Sequence, residues 1–291
     1  MLALVLLAIV AAVCFSLGMW QLQRAAERDA LHDSIERGRL QAPVVLSASS
    51  RAAELTPWRA ATAQGHWLPQ HTVLLENRNL DGQPGYWVAT PLLLEADPVP
   101  PSRNDAVTAG SAEIGAVVGN GDTNDFLGKG PAPGTTAVLV LRGWLPRDMQ
   151  AGGSLPTLPE EPGLVRVTGE LHAHVPRIFE LWEWAGGKAS ALPATLPPPD
   201  NGVAVVQNLE LADYAAATGL RLLPAVLAQT QGASASPLKR EWPGPSLDSD
   251  QNRGYALQWF SFSAIAAIAG LVVLRNLFRR SGRSAHGKES P

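Results

Sequence analysis

An uncharged apolar run at each end constrains this chain more than any other feature. Met1 to Trp20 carries no charged side chain, and neither does Tyr255 to Leu274. Twenty helical residues rise about 30 Å, the thickness of a bilayer's hydrocarbon layer. Both runs are therefore expected to be transmembrane helices, residues 1–20 and 255–274. Their borders agree. Trp20 and Gln21 stand where headgroups should begin, ahead of Arg24 and Arg28, and Tyr255 and Trp259 open the second run. Trp and Tyr favour that interface.

The second run sets an orientation. Arg275, Arg279, Arg280, Arg283 and Lys288 lie in the short segment 275–291, with only Glu289 opposing them. By the positive-inside rule this basic tail is cytoplasmic. Two crossings then put the N-terminus inside as well. The middle, 21–254, lies on the outer side of a cell inner membrane, in a periplasm. Arg24 and Arg28 alternate with Glu27 and Asp29, so the first flank carries no orientation signal.

The first run could instead be a cleaved signal. A signal peptide needs a basic start and a small-x-small site. Here no basic residue precedes the run, which flows straight into Trp20-Gln21. A lipoprotein signal would use Cys14, but Val13 before it is bulky. A retained helix is expected, and the missing basic start points to residues upstream of Met1.

The middle reads as a β-rich domain. Short β-like runs occur at Trp58–Trp67, Thr72–Asn77, Gly85–Leu94, Ala137–Trp144 and Val203–Leu209, with turn-like Leu68 to His71 and Asp81 to Pro84 between the first three. Leu164–His172 alternates apolar with polar residues, as a half-buried strand does. Arg24–Arg39 reads as a helical continuation of the first run, and Leu211–Thr218 as a short helix stopped by Gly219. Residues 96–134 and 185–201, rich in Pro and Gly, read as loops or disordered insertions, and 231–252 as a linker. The expected class is thus a membrane α+β protein: two transmembrane helices flanking a mostly antiparallel β-rich periplasmic domain, as a curved sheet or open barrel.

Several chemistries are excluded. Cys14 is the single cysteine, so neither an intramolecular disulfide nor a cysteine zinc cluster can form. A net charge of −3 offers no basic face for nucleic acid. There is no phosphate-binding glycine loop and no Gly-x-Ser-x-Gly elbow. His172-Ala-His174 would put two imidazoles on one side of a strand, but two ligands are not a metal site and no third is identifiable. Solvent-facing histidines are the expected reading there, and for His66 and His71 beside a turn. No catalytic residue and no metal site are expected.

The arginines leave two readings open. Arg59, Arg78 and Arg142 each adjoin aromatic or turn residues, in Trp58-Arg59, Asn77-Arg78-Asn79 and Arg142-Gly143-Trp144. Arginine grips carboxylates bidentately and stacks on rings. Such a set suits an acidic partner or a cofactor with propionates. It equally suits structural ion pairs and strand-end caps. In the second run Gln258, Ser261 and Ser263 are polar, and Ala266 and Gly270 are small. Such positions usually face another helix, here the first one at Gly18 or a separate membrane protein.

Taken in order, these motifs resemble the surfeit-locus protein 1 family. The resemblance covers most of the chain. It rests on Leu17-Gly18-Met19-Trp20-Gln21-Leu22-Gln23-Arg24, Trp58-Arg59, Gly65-His66-Trp67, Asn77-Arg78 and the stretch Gly85 to Leu92. Leu141-Arg142-Gly143-Trp144-Leu145-Pro146-Arg147, Val167 to Glu170, Gln207-Asn208-Leu209 and Tyr255-Ala256-Leu257-Gln258-Trp259-Phe260 complete it. The resemblance implies a non-enzymatic assembly factor of haem-copper cytochrome c oxidase that assists haem a delivery to the catalytic subunit. Some bacterial members bind haem a. It further implies subunit I and haem a synthase as partners, beside membrane lipid. Transient haem a contact would fall to Trp20, Gln21, Arg24, Tyr255, Gln258 and Trp259 at the outer ends of the helices. Arg59, Arg78, Gly85, Arg142, Gly143 and Trp144 would form a partner or structural motif. Three departures stand out. Many members carry a histidine, a candidate haem ligand, three residues before the motif tyrosine; here it is Asn252. Leu141 stands where asparagine is common, and the 96–134 insertion replaces a short turn.

Overall fold

The structure is a computed structural model. It describes residues 1–95, 135–147, 155, 158, 161–178, 192–199, 202–231, 236–245 and 247–286. The expected insertion 96–134 and most of 185–201 lie outside them. In chain order the elements are helix α1 (Leu2–Arg39), strands β1 (Val44–Leu46), β2 (Ala60–Trp67), β3 (Val73–Leu80), β4 (Gln83–Leu94), β5 (Thr136–Pro146), β6 (Leu164–His172) and β7 (Ala204–Val206), helix α2 (Leu211–Thr218), strand β8 (Arg221–Gln229) and helix α3 (Ser249–His286). The chain divides into two units, Met1–Ile35 with Gly244–Pro291, and Glu36–Pro243.

The first unit is a helix pair. Both helices are long and apolar enough to cross a membrane. α1 runs unbroken through the charged Arg24–Arg39 stretch, and α3 starts at Ser249, before its apolar run. The helices pack antiparallel. Gly270 lies near Leu7, Ser263 donates its hydroxyl to the Ala11 carbonyl at 2.8 Å, and Phe260 meets Phe15 at 5.5 Å between ring centres. A Cβ on Gly18 would sit 2.6 Å from the Phe260 ring, so only glycine lets this ring approach. Beyond them Arg253 pairs with Asp29 at 2.6 Å, and Arg28 donates to the Asp248 carbonyl.

Among the described residues the second unit has one eight-stranded sheet, in the order β1-β2-β6-β8-β5-β4-β3-β7. The far end of β4 also pairs with β2, through Gly65–Leu94, His66–Leu93 and Trp67–Leu92. That contact closes β2, β6, β8, β5 and β4 into a barrel, with β3 and β7 extending from β4, and β1 from β2. The mostly antiparallel expectation is corrected: β1–β2, β3–β7 and β5–β8 are parallel, so the sheet is mixed. Parallel neighbours need crossovers rather than hairpins. α2 lies on such a crossover, between β7 and β8.

Burial explains the strand patterns. β6 alternates, with Val167 and Leu171 inward. β5 is apolar from Ala137 to Leu141 because both its faces are covered there. Val138 and Val140 fill the barrel beside Ala61, Ala63, Leu92 and Leu227. Leu139 and Leu141 face a second core with Val206, Tyr214 and Ala217. Tyr214 on α2 donates its hydroxyl to the His71 carbonyl at 2.5 Å. The last turn of α1 belongs to this unit, where Arg39 pairs with Glu170 at 2.8 Å.

Candidate functional site

The expected site residues fall into two groups, one in each unit. In the helix pair, Gln21 and Asn252 meet: the Asn252 amide donates to Gln21 Oε1 at 2.7 Å. One turn along α1, Arg24 pairs with Glu27 at 3.2 Å and lies 5.6 Å from the centre of the Trp20 ring. Trp20 and Tyr255 are about half exposed, and Gln258 is exposed. Trp259 packs edge-on to Phe262, 6.0 Å between centres. This end of the pair therefore presents aromatic rings around an internally bonded amide pair.

In the β domain, Arg78 and Arg142 are almost fully buried, 4% and 3% exposed. Each stacks on a tryptophan: Arg78 on Trp87 at 4.4 Å, and Arg142 on Trp67 at 4.6 Å. Both stand at irregularities of the ladder. Gly143 pairs with Val88 and Leu141 with Ala89, so Arg142 is the extra residue of a bulge. The β3–β4 register slips between Leu75 and Arg78, where Asn77 adopts a left-handed φ of 60°. Bulges re-aim a side chain, here a charged one, within an otherwise apolar strand pair.

Their partners differ. Arg142 pairs with Glu161 at 3.3 Å, and Glu161 also accepts from Trp67 Nε1 at 3.3 Å. Arg78 donates to the Gln207 carbonyl at 2.9 Å. Burial lowers both guanidinium pKa values. Glu161 works against that shift at Arg142, whereas Arg78 falls to about 10.

Gly85, Gly143 and Trp144 hold this region together. Trp144 donates Nε1–H to the Arg78 carbonyl at 2.7 Å. Its indole lies so close to Gly85 that an added Cβ there would be 2.4 Å from it. Trp144 also bridges to Lys239 through both backbone bonds, at 2.7 and 3.0 Å, while Leu238 and Lys239 close over Gly143. Trp242 packs edge-on to Trp87 at 5.2 Å. Residues 236–243, expected to be linker, thus form a strap over β5 and β4. Arg59 donates to the Ala42 and Glu54 carbonyls at 2.7 and 3.1 Å and fastens the loops before β2.

His174 is exposed as expected, whereas His71 and His172 differ from expectation. His71 is buried at 5% exposure, and His172 leans edge-on against Trp58 at 4.8 Å; neither faces solvent freely. The Trp58 ring covers His172, and His71 lies where the Tyr214 hydroxyl reaches its carbonyl. No group of three His, Cys, Asp or Glu side chains able to hold a metal ion occurs among the described residues.

Glu161, Lys239 and Trp242 carry no motif that the sequence singles out. Trp242, an aromatic residue inside an apparent linker, was the one signal. Glu161 in a loop carried none.

The fold comprises a pair of long apolar helices and a mixed β-barrel domain that buries two tryptophan-stacked arginines. The SURF1 family model matches residues 8–108 and 127–264, and the chain belongs to that family of assembly factors, associated with cytochrome c oxidase assembly. No curated protein matches the chain.

The haem a that the family implies can be tested against these residues. None of Trp20, Gln21, Arg24, Tyr255, Gln258 and Trp259 carries an imidazole. Asn252 holds its amide toward Gln21, and an amide nitrogen has no lone pair to give iron. Arg24 is paired with Glu27. Arg59 and Arg142 have their acceptors inside the domain, whereas Arg78 meets one neutral carbonyl, that of Gln207. These residues offer no histidine, cysteine or methionine to a haem iron, and Tyr255 is the one side chain among them of a kind that ligates it.

Proposed function

We propose that this chain is a membrane-anchored, non-enzymatic assembly factor that assists haem a insertion into the catalytic subunit of cytochrome c oxidase, and does so without ligating the haem iron. α1 and α3 cross the cell inner membrane. Both termini are cytoplasmic and the β domain is periplasmic, as the basic residues after the second span favour. Trp20, Gln21, Arg24, Tyr255, Gln258 and Trp259 form a surface for subunit I, where apolar rings beside polar tips suit a membrane-level contact. Haem a synthase is a further partner, and lipid surrounds the helices.

The observation that carries this reading is the Gln21–Asn252 bond. In a chain of this family, it fills with an interhelical amide pair the position at which a ligand would be sought. The chain then acts as a scaffold on the subunit receiving haem a. The test is to co-express the full chain with subunit I and the enzymes of haem a synthesis, and to purify it through a tag. Subunit I should co-purify. The chain isolated from it should show no haem absorption in the visible range. A stoichiometric haem a spectrum on the isolated chain would overturn the scaffold reading.

A further inference from the structure

Arg78 and Arg142 are near copies of one arrangement with one part missing. Each is a buried guanidinium stacked on a tryptophan beside a ladder irregularity. Arg142 has a carboxylate, Glu161, at 3.3 Å. Arg78 makes no ion pair among the described residues. Its one hydrogen bond goes from Nη2 to a neutral carbonyl, that of Gln207, and its buried Nε–H has no acceptor. A buried guanidinium with an unused N–H is costly in itself, because its desolvation is not offset by an opposite charge.

We propose that Arg78 is a docking point for a carboxylate, which binds side-on to Nε and Nη2. The unused Nε–H and the neighbouring Nη2–H form one edge of the guanidinium fork, which matches the two oxygens of a carboxylate. A carboxylate replacing the Gln207 carbonyl exchanges one bond to a neutral acceptor for two to an anion. Entry lies along the Asn77–Gln207 side, where the Asn77 amide is exposed and meets Gln207 at 3.3 Å, a long and weak bond. Trp87 backs the guanidinium and fixes its plane, with Trp242 edge-on to Trp87. The Trp144 indole holds the Arg78 backbone, so the fork stays oriented as the ligand arrives. The carboxylate belongs to an acidic side chain or chain end of a partner polypeptide, or to a small organic acid. This inference does not depend on the assembly reading, since it concerns only the β domain's own residues.

The test uses the full chain in detergent micelles with arginine Nε labelled by nitrogen-15. Sodium acetate, sodium chloride and the blocked peptide acetyl-Ala-Glu-Ala-amide are titrated while the Arg78 Nε–H resonance is followed. Acetate should move that resonance along a saturating curve, with chloride leaving it in place. Saturation by the peptide as well assigns the site to a polypeptide carboxylate; saturation by acetate alone assigns it to a small acid. A linear drift equal in acetate and chloride would overturn the proposal. The assignment comes from Arg78→Lys, which removes the Nε–H; should that variant not fold, Trp87→Phe, which changes the ring stacked on the guanidinium, shifts the same resonance and assigns it. As a second readout, acetate should raise the melting temperature of wild type above its value in chloride. The same increment in Arg78→Lys would count against the site.

Discussion

Asn252 and Gln21 hold each other across the helix pair, with the Asn252 amide donating to Gln21 Oε1 at 2.7 Å. The bond joins α3 to α1 just beyond the apolar stretches, next to the Arg253–Asp29 pair. Interhelical bonds of this kind contribute about 0.5–2 kcal/mol in membrane settings. Alanine at either position should therefore destabilise the helix pair by roughly that amount. The double variant should cost little more than either single one, so the coupling in a double-mutant cycle should be about 0.5–2 kcal/mol. Denaturant unfolding of the full chain in micelles measures this. Strictly additive effects would mean that the two amides do not interact.

Glu161 and Glu27 make a contrasting pair of targets. Glu161 neutralises a guanidinium that is 3% exposed, whereas Glu27 and Arg24 are both more than half exposed. Glu161→Gln should lower stability by about 1–3 kcal/mol, because a buried charge loses its carboxylate. Glu27→Gln should change it by less than about 1 kcal/mol. Arg142→Met, which removes the charge and keeps an apolar stem on Trp67, should cost less than Glu161→Gln. Melting temperatures of the three variants decide the order, and equal losses for Glu161→Gln and Glu27→Gln would refute it.

Burial lowers the pKa of His71 and of His172 below the ordinary 6.5. At His172, Glu170 works against the shift, while His174 and Arg39 add to it. The unfolded chain therefore binds protons that the folded domain resists. Stability should be flat above about pH 7 and fall as pH drops below about 6.5 toward the depressed folded values. Denaturant midpoints at about pH 8 and about pH 5 test the sign. A His71→Gln variant should show a shallower loss over that interval, and an unchanged slope would remove His71 from the account.

Much of this architecture was readable because periodicity reports burial. The alternation of Leu164–His172 matches a strand with one covered face, and the continuous run Ala137–Trp144 matches one covered on both. The helix Leu211–Thr218 ends at Gly219, as its left-handed φ of 68° requires. β8 was not readable. Pro224 interrupts Arg221–Gln229 and argues against a central strand. It is accommodated because the β5–β8 register shifts between Leu222 and Val226, which frees the proline from the ladder. Parallel pairing was also hidden, since it depends on crossovers that no local pattern encodes. At the candidate site the arginines and their tryptophan neighbours stood out in sequence. The stacks themselves join β3 to β4 and β5 to β2, and the difference between Arg78 and Arg142 rests on Glu161, a loop residue without any local signature.

The central claim is that the chain assists haem a insertion into oxidase. The most direct measurement is the ratio of haem a to subunit I polypeptide in membranes from cells lacking the gene, compared with cells complemented by the wild-type chain. The account predicts a fall in haem a per subunit I, restored by the wild-type chain. A ratio unchanged by loss of the chain would contradict it.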